Sequence, residues 1–531
     1  MGGVAAGMSA ATRLRRLVED AEITVYEMSE HVSYANCGLP YFVGEVITDR
    51  AALLLQTPES LWRRFRLDVR VQHKVTKIDP SQRSVTVLNL QNGEQTTDTY
   101  DFLVLATGAT PRLPDIQGIE RALALRNVQD ADKARMQIEK SGAKTAAVIG
   151  AGFVGVELAE NLKHLGLDVT LIQRGSQILP QFDSEMIAPL ATRLRENGVN
   201  LVIGAEIERI TADAVETLQG EVPADVVFVA AGVNPDNSLA KDAGLRMGET
   251  GGLWVDSSNR TSDSAIFAAG DAVEKSNELT GEAALIPLAN LANRHGRLIA
   301  DAIAGRTPHA HTALGTAIIG AFGLSAAVTG LTEKAALKAG IAHQIVHVHP
   351  NNHASYYPGA RRVSLKVLFE PKTGRLLGAQ GYGEDGVDKR IDVLATAIRA
   401  GLTISDLMDL ELAYAPQFGS AKDAVNMAGY VGENLLNGTT PNIQWHAIAG
   451  VQAQLIDVRT RQEHDSGHIP GSVNIPVDEL RERLDEVNRG PVVVYCAVGQ
   501  RGHIATQILT AHGLEVKNLD GGYTTWSSIA I

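Results

Sequence analysis

The chain has 531 residues, 44% of them apolar, and a formal net charge of −13. That is material for roughly three to four domains, and an acidic balance without any basic block argues against nucleic acid as a partner. Its two cysteines, Cys37 and Cys496, are too few for a disulfide framework and too isolated for a zinc cluster; they fit a reducing compartment, and with no signal peptide ahead of the first motif the expected location is the cytoplasm.

The first residues, Gly2-Gly3-Val4-Ala5-Ala6-Gly7, run into a helical pattern from Met8 to Leu17, and an apolar strand, Ile23 to Tyr26, then ends at Glu27. A glycine turn lets the backbone approach a pyrophosphate, the helix N-terminus supports its charge, and an acid after the second strand takes ribose hydroxyls. Two departures stand out. Val4 replaces the middle glycine, and no β-strand precedes the turn because the sequence starts at Met1, so a strand of the expected parallel sheet is missing at its start.

A second unit is complete: strand Lys144 to Ile149, turn Gly150-Ala151-Gly152-Phe153-Val154-Gly155, helix Val156 to Leu165 and strand Asp168 to Ile172. Where the ribose-binding acid is expected the chain has Gln173 and then Arg174. A carboxylate there favours NAD and an arginine favours NADP, so the signal is mixed; NADH is expected, on a neutral Gln173 and an Arg174 turned away from the ribose, with NADPH as the alternative. One glycine turn is weak evidence, but two at this separation are strong. Between and after them lie Phe102 to Ala106 leading into Thr107-Gly108, and Ile266 to Gly270-Asp271.

Thr312 to Thr332 has no charged residue, yet its glycines and threonines read as buried strands and turns and not as a membrane helix. Strand-like Arg362 to Phe369 and helix-like Asp388 to Ala400 mark an α+β region. Asn437 to Asn442 has the composition of a linker. The tail carries Gln454 to Arg459, Gly467-His468-Ile469-Pro470-Gly471, Val492 to Cys496 and Gly521 to Trp526, a small α/β pattern. Two histidine groups, His347/His349/His353 and His309/His311, lack the cysteine or carboxylate company of a metal site, and no metal is expected.

Cys37 lies in Ser33-Tyr34-Ala35-Asn36-Cys37, and five residues on is Phe42 where a two-cysteine reductase carries its second thiol. A mixed disulfide on Cys37 therefore needs electrons from a cofactor, or a second thiol from a small molecule. Cys496 ends an apolar strand and heads the loop Cys496-Ala497-Val498-Gly499-Gln500-Arg501 before a helix, a geometry that aims backbone N–H groups and Arg501 at the sulfur. Such donors lower a thiol pKa and cradle a persulfide anion.

The two glycine units together resemble the two-dinucleotide flavoprotein reductases, and the tail phrases resemble rhodanese domains. With Ser33-x-x-Asn36-Cys37, the whole chain resembles the coenzyme A-disulfide reductase/rhodanese fusions, which include NADH-dependent persulfide reductases, all single-cysteine pyridine nucleotide-disulfide oxidoreductases. The resemblance implies an α/β fold of two Rossmann-like domains, an α+β dimerisation domain and a C-terminal α/β rhodanese domain. The expected spans are 1–111 with 241–311 for FAD, 112–240 for NAD(P)H, 312–436 for dimerisation, 437–444 as linker and 445–531 for the rhodanese.

By the same resemblance Gly2, Gly3, Gly7, Glu27, Thr107, Gly108, Gly270 and Asp271 hold FAD, with Glu27 on the adenosine ribose and Asp271 on the ribityl-phosphate region. Gly150, Gly152, Gly155 and Gln173 face the nicotinamide dinucleotide. Ser33 and Asn36 flank the Cys37 nucleophile, Tyr356 and Tyr414 reach the substrate from the partner subunit of a homodimer, and Arg13 and Arg16 hold the phosphates of coenzyme A. Phenols suit that task because they can donate a proton or hydrogen bond to a leaving sulfur. The implied activity is reduction of CoA persulfide, other small persulfides or polysulfide to hydrosulfide, with sulfur relayed at Cys496. CoA-disulfide reduction, peroxide or oxygen reduction through a sulfenic acid, and a non-catalytic sulfur carrier or redox sensor are the alternatives.

Overall fold

The computed structural model describes residues 1–307 and 312–529. His309 and His311 lie outside the described residues. The chain forms two compact units, Met1–Ile178 with Arg195–Gly315, and Leu179–Leu194 with the chain from Thr316 onward.

In the first unit, strand Thr24–Glu27 pairs in parallel with Asp68–Val71, and Leu103–Leu105 with Ile266–Ala268. Met1 and Gly2 run between these pairs and bond to both: the Met1 amino group donates to Val104 O at 2.9 Å, Ala106 N donates to Met1 O, and Gly2 N donates to Tyr26 O at 2.9 Å. Helix Ala5–Leu17 begins four residues into the chain and packs on helix Ala289–Ile303, where a Cβ on Gly296 would lie 2.3 Å from Ala6 O. A separate four-stranded parallel sheet runs in the order Val199–Ile203, Asp168–Gln173, Thr145–Ile149, Val226–Val229, with helix Phe153–His164 after its glycine turn. Thr145–Ile149 and Val226–Val229 are covered on both faces, which is why they read as unbroken apolar runs.

The second unit holds a five-stranded antiparallel sheet in the order Ala317–Ala321, Leu324–Gly330, Leu376–Gly383, Val363–Phe369, Gln344–Val348, with helices Val387–Arg399 and Ala424–Leu436. The uncharged stretch from Thr312 to Thr332 thus becomes two strands and a turn, and no helix among the described residues is long and apolar enough to cross a membrane. The tail forms a five-stranded parallel sheet in the order Asn442–Ile443, Val516–Leu519, Val492–Tyr495, Gln454–Asp457, Val473–Asn474. Asn442–Ile443 is therefore an edge strand of the tail domain and not part of a linker. Its few residues and its neighbouring Gly438 and Pro441 hid it in a turn-like composition.

Leu179–Leu194, expected inside the second nucleotide domain, groups by contacts with the second unit and brings two carboxylates to it. Strand Val363–Phe369 is buried throughout yet contains Lys366, whose ammonium meets Asp183 at 2.9 Å, Glu333 at 2.7 Å and Glu185. A buried ammonium persists only when paired, and Asp183 and Glu185 supply that pairing. The network continues from Glu185 to His347 Nε2 at 3.4 Å, while His347 Nδ1 lies 2.6 Å from Asp520 Oδ2 and its backbone N donates to Asp520 Oδ1. His349 contacts Ser364 Oγ and Thr525 Oγ1, and His353 Nδ1 contacts Ala354 O. The three histidines of that group are thus occupied by local hydrogen bonds, and His347 and His349 join the antiparallel sheet to the tail domain.

Burial pulls the His347 pKa down, but Asp520 and then Glu185 outweigh it and raise it from 6.5 to about 9. A folded-state pKa above the unfolded one stabilises fully below the unfolded value and loses that contribution as pH rises through the folded value. Urea unfolding should therefore show the wild-type advantage over His347→Gln, on the order of 3 kcal/mol near pH 6, disappearing between pH 6.5 and 9.5. A pH-independent difference would contradict the charged state of His347.

Candidate active site

The two glycine turns share one local construction. In the first, a Cβ on Gly7 would lie 1.9 Å from Gly2 O; in the second, a Cβ on Gly155 would lie 1.8 Å from Gly150 O. Only a residue without Cβ lets each helix start that close to its turn. Gly2 faces Ala106 O and Gly150 faces Ala230 O in the same way, with φ of +93° and +103°. Val4 stands where Gly152 stands in the second turn, and a Cβ on Gly152 meets nothing within 4 Å. The non-glycine middle position of the first turn is thus compatible with the same backbone path.

Around the first turn, Glu27 is buried and its carboxylate accepts from Gly3 N at 2.7 Å and Ser29 N at 2.8 Å. Its observed partners are Gly3 of the turn and Ser29, two residues on. Thr107 Oγ1 donates to Asp236 O, and Asp236 N donates to Gly108 O, pinning the small-residue turn after strand Leu103–Leu105. Gly270 has φ +74°, and Asp271 Oδ1 is buried without a hydrogen-bond partner among the described residues. An orphaned buried carboxylate oxygen fits a ligand hydroxyl or water, so the residues present are compatible with the expected flavin. Sequence reasoning missed Lys275, a buried ammonium that donates to Gly270 O at 2.8 Å. Burial lowers its pKa to about 8 against the pull of Asp271, and burial raises that of Asp271 against the pull of Lys275. At the second turn Gln173 Oε1 accepts from Ala151 N at 3.1 Å, and Arg174 is exposed.

Cys37 sits in a single turn, Asn36–Gly38, ahead of the short helix Leu39–Val43. Ser33 adopts φ +51° and its N donates to Gly3 O at 2.7 Å, which sets this segment against the first glycine turn. Cys37 is exposed and Phe42 is buried, so Cys37 has no thiol neighbour. Partial burial, Glu157 and Asp271 push the Cys37 thiol above its ordinary pKa. Glu157 is the other residue missed from sequence. It stands on helix Phe153–His164, accepts from Tyr41 OH at 3.2 Å, and is raised to about 7 by burial, which outweighs the Tyr41 hydrogen bond. Its signal was present as one carboxylate amid buried Val156, Leu158 and Ala159.

Tyr356 and Tyr414 come together from distant sequence: their hydroxyls lie 3.2 Å apart, and the side chains are 74% and 50% exposed beside exposed Phe418. That exposure is unusual for three aromatics and marks a surface available to another molecule. Of the two arginines expected to hold coenzyme A, Arg13 is paired with Asp301 at 2.8 Å, whereas Arg16 is exposed above the Phe65 ring.

In the tail domain Cys496 is 1% exposed and packs against Val494, Ala505 and Ile456 of the core. Gly499 N donates to its Sγ at 3.2 Å. Tyr523 N and Thr524 N donate to the carbonyls of Cys496 and Ala497 at 2.8 and 2.9 Å, fixing the loop from the segment that follows Gly521-Gly522. Arg501 does approach the sulfur electrostatically, but its two terminal nitrogens each bond Glu463 at 2.7 Å. Nearby, Arg459 pairs with Asp457 and donates to Gly467 O.

Comparison with known proteins accounts for these parts. Residues 1–304 match the pyridine nucleotide-disulphide oxidoreductase family, 317–425 its dimerisation domain and 440–529 the rhodanese-like domain. The solved structure of reduced Bacillus anthracis CoADR-RHD is 44% identical with a TM-score of 0.98, the match covering 99% of this chain and 97% of that one. An NAD-dependent persulfide reductase from A. fulgidus is 39% identical with a TM-score of 0.93, covering 99% of both chains. The NAD(P)H coenzyme A polysulfide/persulfide reductase of Pyrococcus horikoshii is 35% identical over 439 residues, which is 80% of this chain and 95% of that protein. The chain belongs to the pyridine nucleotide-disulphide oxidoreductase family, with that family's dimerisation domain and a rhodanese-like domain at its C-terminal end.

Proposed function

We propose that this protein is an FAD-dependent NADH:persulfide reductase that acts on CoA persulfide, other small persulfides or polysulfide, releases hydrosulfide, and relays sulfane sulfur at Cys496. The observation that carries this reading is the pairing of an exposed lone thiol, Cys37, with a second thiol that receives a loop N–H and stands beside an arginine. A thiol held that way suits a sulfane carrier, and reduction of CoA disulfide by itself has no use for one.

Bound FAD would pass two electrons from NADH to the sulfur held on Cys37. The Cys37 thiolate attacks the inner sulfur of R–S–SH, forming Cys37–S–S–R and expelling HS⁻. Two electrons and one proton then cleave that disulfide to Cys37 thiolate and RSH. The sum is RSSH + NADH → RSH + HS⁻ + NAD⁺. Gly2, Gly3, Gly7, Glu27, Thr107, Gly108, Gly270 and Asp271 would hold FAD, and Gly150, Gly152, Gly155 and Gln173 the nicotinamide dinucleotide. Neutral Gln173, turned toward Ala151 N, is read as favouring NADH, while exposed Arg174 is the residue that would favour NADPH. Ser33 and Asn36 position the Cys37 turn. Tyr356 and Tyr414 would serve the partner protomer of a homodimer, donating to the leaving thiolate, with Arg13 and Arg16 near the CoA phosphates. Two unpaired thiols that must stay reduced to work suit the cytoplasm as the working compartment.

Cys37→Ser should keep bound FAD, whose candidate ligands lie elsewhere, and lose NADH-dependent sulfide release by at least about a hundredfold. Unimpaired sulfide release by this variant would refute the nucleophile. In rapid-mixing traces Tyr356→Phe and Tyr414→Phe should each slow the step after cofactor reduction about tenfold or more, while NADH-to-flavin transfer stays near wild type. Equal slowing of both steps would assign the tyrosines to packing. A carboxyl that titrates near pH 7 beside Tyr41 predicts a pH-dependent step centred there, and Glu157→Gln should flatten that profile. An unchanged profile would place the titrating group elsewhere.

A further inference from the structure

The charge balance at the Cys496 loop speaks to which sulfur donors it takes. From Cys496 to Arg501 the loop carries one ionisable side chain besides the thiol, and Ala497, Val498 and Gly499 offer none. That one cation interacts with the sulfur but is neutralised by a carboxylate: Arg501 Nη1 and Nη2 bond the two carboxylate oxygens of Glu463, each at 2.7 Å, a bidentate arrangement. The pair is reinforced on the carboxylate side, since Glu463 Oε2 also accepts from Thr460 N and Thr460 Oγ1 at the start of helix Arg461–Asp465. Arg501 first, then the Thr460 contacts, hold the Glu463 carboxyl well below its usual range despite some burial.

The other cations bordering the loop add little. Arg459 is neutralised by Asp457, and His464 Nδ1 contacts the same carboxylate. Arg362 touches Thr524 Oγ1 at 3.4 Å, outside the loop. Besides Arg501, whose charge is shared between the sulfur and Glu463, a donor meets the backbone: Gly499 N on the sulfur and the N-terminus of helix Gln500–Ala511. That is enough for a single-sulfur anion on Cys496, and within the loop itself it offers no unpaired cation for a sulfonate group.

We propose that Glu463 is a specificity-determining residue which, by neutralising Arg501, adapts this loop to take sulfane sulfur from thiol persulfides and to discriminate against thiosulfate and related sulfur oxyanions. The proposal rests on Cys496 being a sulfur acceptor. In the favoured transfer the Cys496 thiolate attacks the outer sulfur of R–S–SH, forming Cys496–S–SH, and the R–S bond breaks with its electron pair leaving on the thiolate R–S⁻. With thiosulfate the same attack must expel sulfite, a dianion whose departure needs a cation at the loop mouth.

The test uses the full-length Cys37→Ser protein, so that only Cys496 can be loaded, with persulfide formation followed by intact mass. Glutathione persulfide should load Cys496 readily and thiosulfate poorly. Glu463→Gln keeps the length and the capping-box capacity of the side chain while freeing the charge of Arg501, and should lower the half-saturating thiosulfate concentration about tenfold, the size of one charge-assisted hydrogen bond. Loading by glutathione persulfide should change little. Glu463→Asp, which keeps the negative charge, should leave thiosulfate poorly used. Wild-type loading by thiosulfate as efficient as by glutathione persulfide, or no gain in Glu463→Gln with persulfide loading intact, would overturn the specificity proposal and leave the acceptor role standing. No loading of any variant by either donor would overturn both.

Discussion

Everything about this enzyme turns on a thiol without a neighbour. Cys37 is exposed, and Phe42, five residues on, is buried. No internal disulfide can form there, so a sulfur attached to Cys37 leaves only when electrons arrive from outside the cysteine. In the proposed mechanism that supply would come through the two dinucleotide turns, which share one construction, each with its third glycine under a carbonyl of the first. The fused tail with a second lone thiol extends the same constraint, because sulfur passed between isolated thiols travels as persulfide and never as an intramolecular disulfide.

The two thiols sit in contrasting fields. Partial burial first, then Glu157 and Asp271, push the Cys37 thiol above its ordinary pKa. Cys496 is buried, yet receives a loop N–H and lies near Arg501. The surroundings thus differ: carboxylates stand near Cys37, whereas a loop N–H and an arginine stand near Cys496. This division suits a site that acts only when loaded with cofactor and a site that must hold a reactive sulfur between encounters.

Much of this organisation is legible in the amino-acid sequence, because it depends on local rules. Glycine turns, apolar strands and the loop following Cys496 are short-range patterns, and helix Ala5–Leu17 and strand Val363–Phe369 lie within a few residues of their expected places. What escapes is long-range. The pairing of Lys366 with Asp183 and Glu185, the edge strand Asn442–Ile443 and the His347–Asp520 contact join residues far apart in the chain, and composition carries no trace of them. Glu157 and Lys275 are hidden for a related reason: a charge becomes notable only when its burial is known. Arg501 is expected to face the sulfur with the loop N–H groups, and only the fold brings Glu463 to it as well.

The most direct measurement is anaerobic turnover of the full-length protein with CoA persulfide, polysulfide and CoA disulfide side by side, with NADH oxidation and sulfide followed together. A persulfide reductase consumes CoA persulfide and polysulfide faster than CoA disulfide and releases one hydrosulfide for each NADH oxidised with CoA persulfide. Faster turnover of CoA disulfide, or NADH oxidation by CoA persulfide without matching hydrosulfide, would contradict the account.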